Sequence, residues 1–371
     1  MNIIQVANVR WHNATAWYAL RLAKLLQDAG HNSLVLTIRG GEVLKEALKL
    51  GLNVKCYDFN SKNPFKLTAL LRDLAGLTAE FKPDIVNCHR GESFFLWGIL
   101  RGGNNSFGLV RTRGDRRPPK NTVLNRRLHG VVADALVATN TEMARIFHEQ
   151  LGVPRARIWF IPGGVDAGRF SFDPLGRERV RAEFALGPDE PVLGLLGRFD
   201  LVKGQLETIK AISILRRKGI RARLMLLGFP TDTSLEQVRE WLREHNLEDS
   251  VITGRRPDLP ACISAVDIGI LASLGSEAIA RAALEIMSCG RPLLSTRVGV
   301  MPDLLEEEAM VRPGDPQALA VLMEKALVDH NWLDLRRTAQ RKSMTQLTDE
   351  VFLRHTLTMY DNVLASLRPP A

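Results

Sequence analysis

Two carboxylates, Glu277 and Glu285, stand eight residues apart ahead of the turn Cys289-Gly290-Arg291-Pro292. On a helix that spacing is a little over two turns, so the sequence predicts both carboxylates on nearly one face, within reach of one ligand. Around them, 265–271 (Ala-Val-Asp-Ile-Gly-Ile-Leu) reads as a buried strand and 293–296 as the next, which makes a strand–helix–strand unit. Ligands of such units sit at the carboxyl ends of the strands, where the unpaired N–H groups and dipole of the following helix favour phosphate. Residues 275–281 occupy that place.

A second junction of the same kind lies upstream. The apolar run 191–196 leads into Gly197-Arg198, and Lys203-Gly204 follows before the helically spaced apolar residues of 206–215. Arg198 offers a planar fork of donors and Lys203 a mobile point charge; together they suit a diphosphate that must leave with its charge compensated. Either cation alone reads as a surface charge, and the glutamate pair alone as a solvated helix face. Their conjunction points to a site.

The elements that must hold these groups alternate along the whole chain. Strands are expected at 3–8, 33–37, 54–57, 85–88, 109–112, 135–138 and 158–161, with helices at 16–29, 43–50, 64–80, 93–100, 124–133 and 141–151. Further strands are expected at 192–196, 222–227, 250–253, 267–271, 293–296 and 309–311, again with helices between them, and a closing helix at 349–367. Such alternation predicts an α/β fold with parallel, doubly wound sheets. A chain of 371 residues exceeds what one core usually organises. The expected organisation is a first domain over 1–165, a polar linker over 166–187, a second domain over 188–346 and a closing segment over 347–371, with a ligand crevice between the domains.

Composition narrows the class. With 45% hydrophobic and 25% charged residues the chain reads as a soluble globular protein, and no apolar run approaches the roughly 20 residues of a membrane helix. The opening Met1-Asn2-Ile3-Ile4-Gln5-Val6 reads as a strand rather than a signal peptide. Cys56, Cys88, Cys262 and Cys289 are scattered without metal-ligand spacing, which points to buried thiols in a reducing, cytoplasmic compartment. Residues 1–165 hold 23 Lys/Arg against 12 Asp/Glu (+11), leaving 27 against 29 (−2) in the rest, so all of the excess positive charge lies in the first half. It is densest at Arg111, Arg113, Arg116, Arg117, Lys120, Arg126 and Arg127. That cluster admits an anionic membrane surface, a phosphorylated acceptor or a merely solubilising surface; nucleic acid is excluded because no stacking platform or recognition motif accompanies it. The run Phe94-Phe95-Leu96-Trp97 reads as core, or as an insertion into a membrane interface.

Five signatures stand in order: Ile161-Pro162-Gly163-Gly164-Val165-Asp166 with Arg169-Phe170, then Gly197-Arg198, Lys203-Gly204, Glu277 with Glu285, and Gly290-Arg291-Pro292. In these the chain resembles the retaining glycosyltransferases of family 4 (group 1), strongly over the second half and loosely over the first. The resemblance implies the GT-B architecture, two Rossmann-like doubly wound domains facing across a cleft, with the closing helix returning to the first domain. It implies that Arg198 and Lys203 hold the diphosphate of a nucleotide-sugar donor, that Glu285 accepts from the ribose hydroxyls, and that Glu277 faces the donor sugar. Backbone N–H groups near Ala278, Ile279 and Ala280 would add to phosphate or sugar binding, Gly254 and Arg255 would lie beside the base, and Gly228 would open the preceding loop. His89, His12, Asn13, Arg113 and Asp115 fall on the acceptor side, although His89 reads equally as a packed residue at a strand end.

The implied reaction is transfer with retention, without a cofactor or metal: no Asp-x-Asp pair is present, and a leaving phosphate oxygen takes the acceptor proton. The chain departs from the family at Asn13-Ala14-Thr15-Ala16, where a Gly-Gly turn is usual, at Arg113-Gly114-Asp115, where a histidine is common, and mildly at Val300-Met301-Pro302-Asp303. The expected setting is lipopolysaccharide core or surface polysaccharide assembly at the inner membrane face. A nucleotide-sugar epimerase or phosphorylase, and a noncatalytic glycan- or membrane-binding protein, are the alternatives.

Overall fold

The computed structural model describes residues 1–11, 13–61, 63–103, 107–114, 117–275 and 277–367. It divides into two compact units, one of Met1–Gly163 with Asp349–Ala371, the other of Gly164–Thr348.

In the first unit, β1 (Asn2–Val6), β2 (Asn32–Thr37), β3 (Asn53–Cys56), β4 (Ile85–Cys88), β5 (Gly108–Arg113), β6 (Ala135–Ala138) and β7 (Ile158–Phe160) form one parallel sheet in the order β3-β2-β1-β4-β5-β6-β7. The central strands bury residues on both faces, among them Ile3, Ile4, Val6, Ile85 and Val86, because helices cover the sheet on each side. Trp97, Phe94, Phe107 and Phe147 fill one side, and Ala16, Leu20, Val35 and Val43 pack another cluster. Thus 94–97 is core, with only Phe95 turned out at 41% exposure. The helix expected over 124–133 is instead an α-turn, Val123–Arg127, running into a π-helix, Leu128–Val132, in which the Ala133 N–H reaches back five residues to the Leu128 carbonyl.

The closing helix Asp349–Leu367 is grouped with this first unit. Its Tyr360 is fully buried, and its hydroxyl accepts from Gln5 Nε2 (3.0 Å) on β1 and Asn87 Nδ2 (3.1 Å) on β4. Arg21 Nε donates to Asp349 at 2.8 Å, tying the start of the same helix to helix Ala14–Asp28.

In the second unit, β8 (Val192–Leu196), β9 (Arg223–Leu227), β10 (Val251–Ile252), β11 (Ile268–Leu271), β12 (Leu293–Thr296) and β13 (Met310–Val311) form a parallel sheet in the order β10-β9-β8-β11-β12-β13. The stretch expected as linker, 166–187, carries helix Pro174–Glu183, whose Val180 is buried in the core of this unit. Strand order reverses between β8 and β11, and in a sheet of this kind the carboxyl ends at the reversal form the ligand-binding crevice.

Candidate functional site

The second unit assembles its polar groups at that reversal. Asp200 folds the residues after β8: one carboxylate oxygen accepts from the Val202 N–H (3.1 Å) and the other from Arg198 Nη2 (2.6 Å), while Gln205 Nε2 donates to the Arg198 carbonyl (2.8 Å). The next residue but one before that glutamine, Lys203, ends a single 3₁₀ turn, and Gly204 follows at φ +73°. A Cβ on Gly204 would lie 1.9 Å from the Ala272 carbonyl oxygen, so glycine is what allows this turn to press against the end of β11. Lys203 Nζ thereby comes within 2.6 Å of Glu277 Oε1.

Ser273, two residues past β11, donates to the same Glu277 oxygen, and Glu277 is 5% exposed. Its carbonyl accepts from the Val300 N–H at 2.8 Å, with Gly299 (φ +57°) leaving room where a Cβ would meet that carbonyl at 2.1 Å. Both side-chain bonds fall on Oε1. Lys203 retains further N–H donors toward an incoming anion, since an ammonium carries three.

Glu285 belongs to helix Arg281–Ser288, but Glu277 precedes that helix, so the expected shared helix face does not exist. The intervening Ala280 takes a left-handed φ of 47° as the N-cap, an unusual conformation for a residue with a Cβ. Ile279 and Ala280 bury their side chains, and the helix has no side-chain cap, so its positive end is not neutralised by a capping group. Glu285 is 4% exposed; burial raises its pKa, opposed by Arg281, whose Nε donates to it at 2.6 Å, and by Arg169. The neighbouring Phe170 packs on this helix and its carbonyl accepts from Ser288, which explains why Arg169-Phe170 belongs with the site. Gly254 turns at φ +68° after β10, and the exposed Arg255 lies 3.4 Å over the Phe229 ring. Gly228 packs on Gly197, where a Cβ would be 1.9 Å from the carbonyl oxygen.

The first unit corrects several expectations. His89 is fully buried rather than lining a surface: its ring Nε2 bonds to Gln5 Oε1 at 2.8 Å and its Nδ1 has no partner, the pattern of a neutral ring with the proton on Nε2. Burial, aided by the Arg111 charge, lowers its pKa to about 3. The unfolded chain therefore takes up a proton that the native state refuses. Stability is fully present above pH ~6.5 and lost as pH falls toward 3, by up to about 1.4 kcal/mol per unit. His89→Gln is expected to flatten the fall of the urea midpoint between pH 6.5 and 4; a slope equal to that of the parent would remove this account.

Arg111 is also buried rather than part of the basic surface. Its Nη1 donates to the Cys88 (2.9 Å) and Thr112 (2.6 Å) carbonyls, and its guanidinium lies 5.9 Å from the Phe94 ring centroid. Asn13 spends its side-chain oxygen on the Ala16 N–H (3.0 Å), capping a helix. Arg113 is half-buried and donates to the Arg117 carbonyl, whereas Arg117, Lys120, Arg126 and Arg127 are exposed. His12, Asp115 and Arg116 lie outside the described residues.

The sequence reading missed Ser273, Asp200 and Arg281, which orient Glu277, Arg198 and Glu285. Their signals were faint: a serine just past a buried strand, an acid two residues from an arginine, and a cation four residues from a glutamate on one helix. Among the described residues, no group of three or more His, Cys, Asp or Glu is placed to hold a metal ion, and no helix is long and apolar enough to cross a membrane.

Two family models match the chain, "Glycosyltransferase Family 4" over residues 15–169 and "Glycosyl transferases group 1" over residues 190–329. A D-inositol 3-phosphate glycosyltransferase of Pseudarthrobacter chlorophenolicus is 30% identical over 198 residues, 52% of this chain and 46% of that protein. The chain thus spans about half the length of the curated relatives it matches. Among solved structures, a glycosyltransferase from Rickettsia africae superposes with a TM-score of 0.84 at 20% identity, covering 98% of each chain. Anabaena Alr3699/HepE in complex with UDP gives 0.84 at 18% identity, covering 98% of this chain and all of that one. Two parallel Rossmann-like sheets with these neighbours constitute the GT-B fold. With adjoining models covering both halves and the signature residues in place, the chain belongs to the group 1, family 4 glycosyltransferases.

Proposed function

We propose that this protein transfers a sugar, with retention and without a metal ion, from a nucleotide-diphosphate sugar to a glycan or glycolipid acceptor. The observation that carries the reading is the Lys203–Glu277 pair at 2.6 Å, set with Arg198 at the carboxyl ends of the two strands where the sheet order reverses. In this reading Lys203 and Arg198 neutralise the diphosphate as the bond to the anomeric carbon breaks, which is stabilisation delivered where charge develops. Glu277 Oε1 is held by Lys203 and Ser273, and the rest of the carboxylate accepts from donor-sugar hydroxyls. Glu285 accepts from the ribose. The acceptor hydroxyl attacks the face the diphosphate is leaving and gives its proton to a phosphate oxygen, so no protein base is required.

Relatives named for D-inositol 3-phosphate and for GDP-mannose support a nucleotide-sugar donor and a polyol or glycolipid acceptor. A thermal-shift screen with UDP, GDP and ADP is expected to show one nucleotide raising Tm in proportion to the logarithm of its concentration. No response to any of the three would defeat the donor assignment.

The proposed setting is assembly of lipopolysaccharide core or another surface polysaccharide at an anionic membrane face. It is supported by exposed Arg117, Lys120, Arg126 and Arg127 beside exposed Val123 (84%), Leu124 (57%) and Val131 (70%). Replacing Arg117, Arg126 and Arg127 by Ser is expected to abolish salt-sensitive binding to phosphatidylglycerol vesicles; retention insensitive to salt would rule this surface out.

A further inference from the structure

The two glutamates of the second unit are held alike. Glu277 Oε1 accepts from Lys203 and Ser273, and Glu285 Oε1 accepts from Arg281 Nε at 2.6 Å. In Glu285, Oε2 accepts no hydrogen bond among the described residues. A carboxylate offers about four acceptor positions, so the open oxygen of Glu285 can take ligand hydroxyls while the other stays locked.

The helix that carries the Arg281–Glu285 pair does not account for it. Arg281 opens helix Arg281–Ser288, which lacks a side-chain cap, so its charge stands at the positive end of the helix dipole, where a cation is disfavoured. The pair also runs with the cation first and the carboxylate four residues later, the weaker of the two orders. What Arg281 does achieve is to compensate a carboxylate whose side chain is 6% exposed. The charged and titratable groups that face this carboxylate are Arg281 on its own helix, Arg169, which lies over the Phe170 ring, and the Cys289 thiol, pushed up to about 12 by burial and by the Glu285 charge. Burial raises the Glu285 pKa, and Arg281 opposes that more than Arg169 does.

We infer that Arg281 is a positioning residue for the donor: by locking one oxygen of Glu285 it presents the other to the ribose, and so sets how strongly the site selects a ribonucleotide over its 2′-deoxy counterpart. That role rests on the reading of Glu285 as the acceptor from the ribose. Arg281 acts through Glu285 and does not itself grip the nucleotide. Without Arg281, Glu285 takes up a proton at higher pH and gives up its charge-assisted bond to the ribose, so the selection weakens as pH falls.

Calorimetry of the full chain with UDP, GDP and ADP, each beside its 2′-deoxy form, at pH 6, 7 and 8 tests this. The parent is expected to bind one ribonucleotide at least ~10-fold more tightly than the deoxy form at pH 7. In Arg281→Leu that preference should be at least ~5-fold smaller than the parent's at pH 6 and should recover toward it at pH 8, whereas Arg281→Lys should stay within ~2-fold of the parent. Adding Glu285→Gln to Arg281→Leu should abolish the pH dependence.

The Arg281 side chain is 40% exposed, so these variants are expected to fold. Equal weakening of the ribo and deoxy forms at every pH would mean that Arg281 only supports the fold, and overturns the assignment. A preference that Arg281→Leu leaves intact, or a pH dependence that survives Glu285→Gln, overturns it as well. Parent binding that does not distinguish the deoxy form defeats the assignment while the donor reading stands; no binding of any of the three nucleotides defeats the donor reading and the assignment with it.

Discussion

Lys203→Ala is expected to lower the rate of sugar transfer by about 100- to 1,000-fold, the usual loss when one preorganised donor to a developing oxyanion is removed. In the proposed reaction the effect should fall mainly on kcat, because the charge that Lys203 would meet grows as the diphosphate departs. The variant also leaves the 5%-exposed Glu277 carboxylate with only the Ser273 hydroxyl among its two partners, which costs about 1–3 kcal/mol of stability. Lys203→Arg is not expected to rescue the rate, because a planar fork does not reproduce the compact ammonium that meets Glu277 Oε1 at 2.6 Å. Steady-state kinetics beside thermal denaturation checks both halves. A variant with near-parent kcat would remove Lys203 from the chemistry.

Gly204→Ala is the second large effect. The residue sits at φ +73°, which costs a side-chain-bearing residue about 1 kcal/mol, and the new methyl would meet a backbone carbonyl at 1.9 Å, adding overpacking of about 1–3 kcal/mol. For a unit of this size a loss of 2–4 kcal/mol lowers Tm by roughly 5–15 °C. Gly290→Ala is the matched control, since Gly290 has φ +68° but no atom within 4 Å of the added Cβ. It should show only the conformational cost. Equal Tm losses in the two variants would mean that the close approach to Ala272 contributes nothing.

The parallel sheets were readable because their strands are short apolar runs between turn residues: 85–88, 135–138, 192–196 and 293–296 coincide with β4, β6, β8 and β12. Misreadings have identifiable causes. Ala278-Ile279-Ala280 has helical composition, but Ala280 turns left-handed and places Glu277 outside the helix, something no propensity encodes. Helix Pro174–Glu183 buries only Gly176, Val180 and Arg181, too thin an apolar stripe to stand out from a linker. Arg111 looked like surface because arginine seldom enters a core, yet carbonyl acceptors and a ring face satisfy it there. At the site, Lys203, Arg198 and both glutamates stood out by type and order. The bond between Lys203 and Glu277, 74 positions apart, arises from adjacency of β8 and β11 and is a property of topology.

Tyr360 joins β1 to β4 from a helix that the chain reaches only after building the entire second unit. On the ribosome this inverts the usual schedule, in which domains mature in the order they emerge. The first sheet waits with Gln5 and Asn87 lacking their shared partner until residue 360 clears the exit tunnel, while the second unit, Gly164–Thr348, already has every residue it needs. A nonsense codon anywhere before that tyrosine would therefore strike the amino-terminal half of the molecule, far from the lesion in sequence.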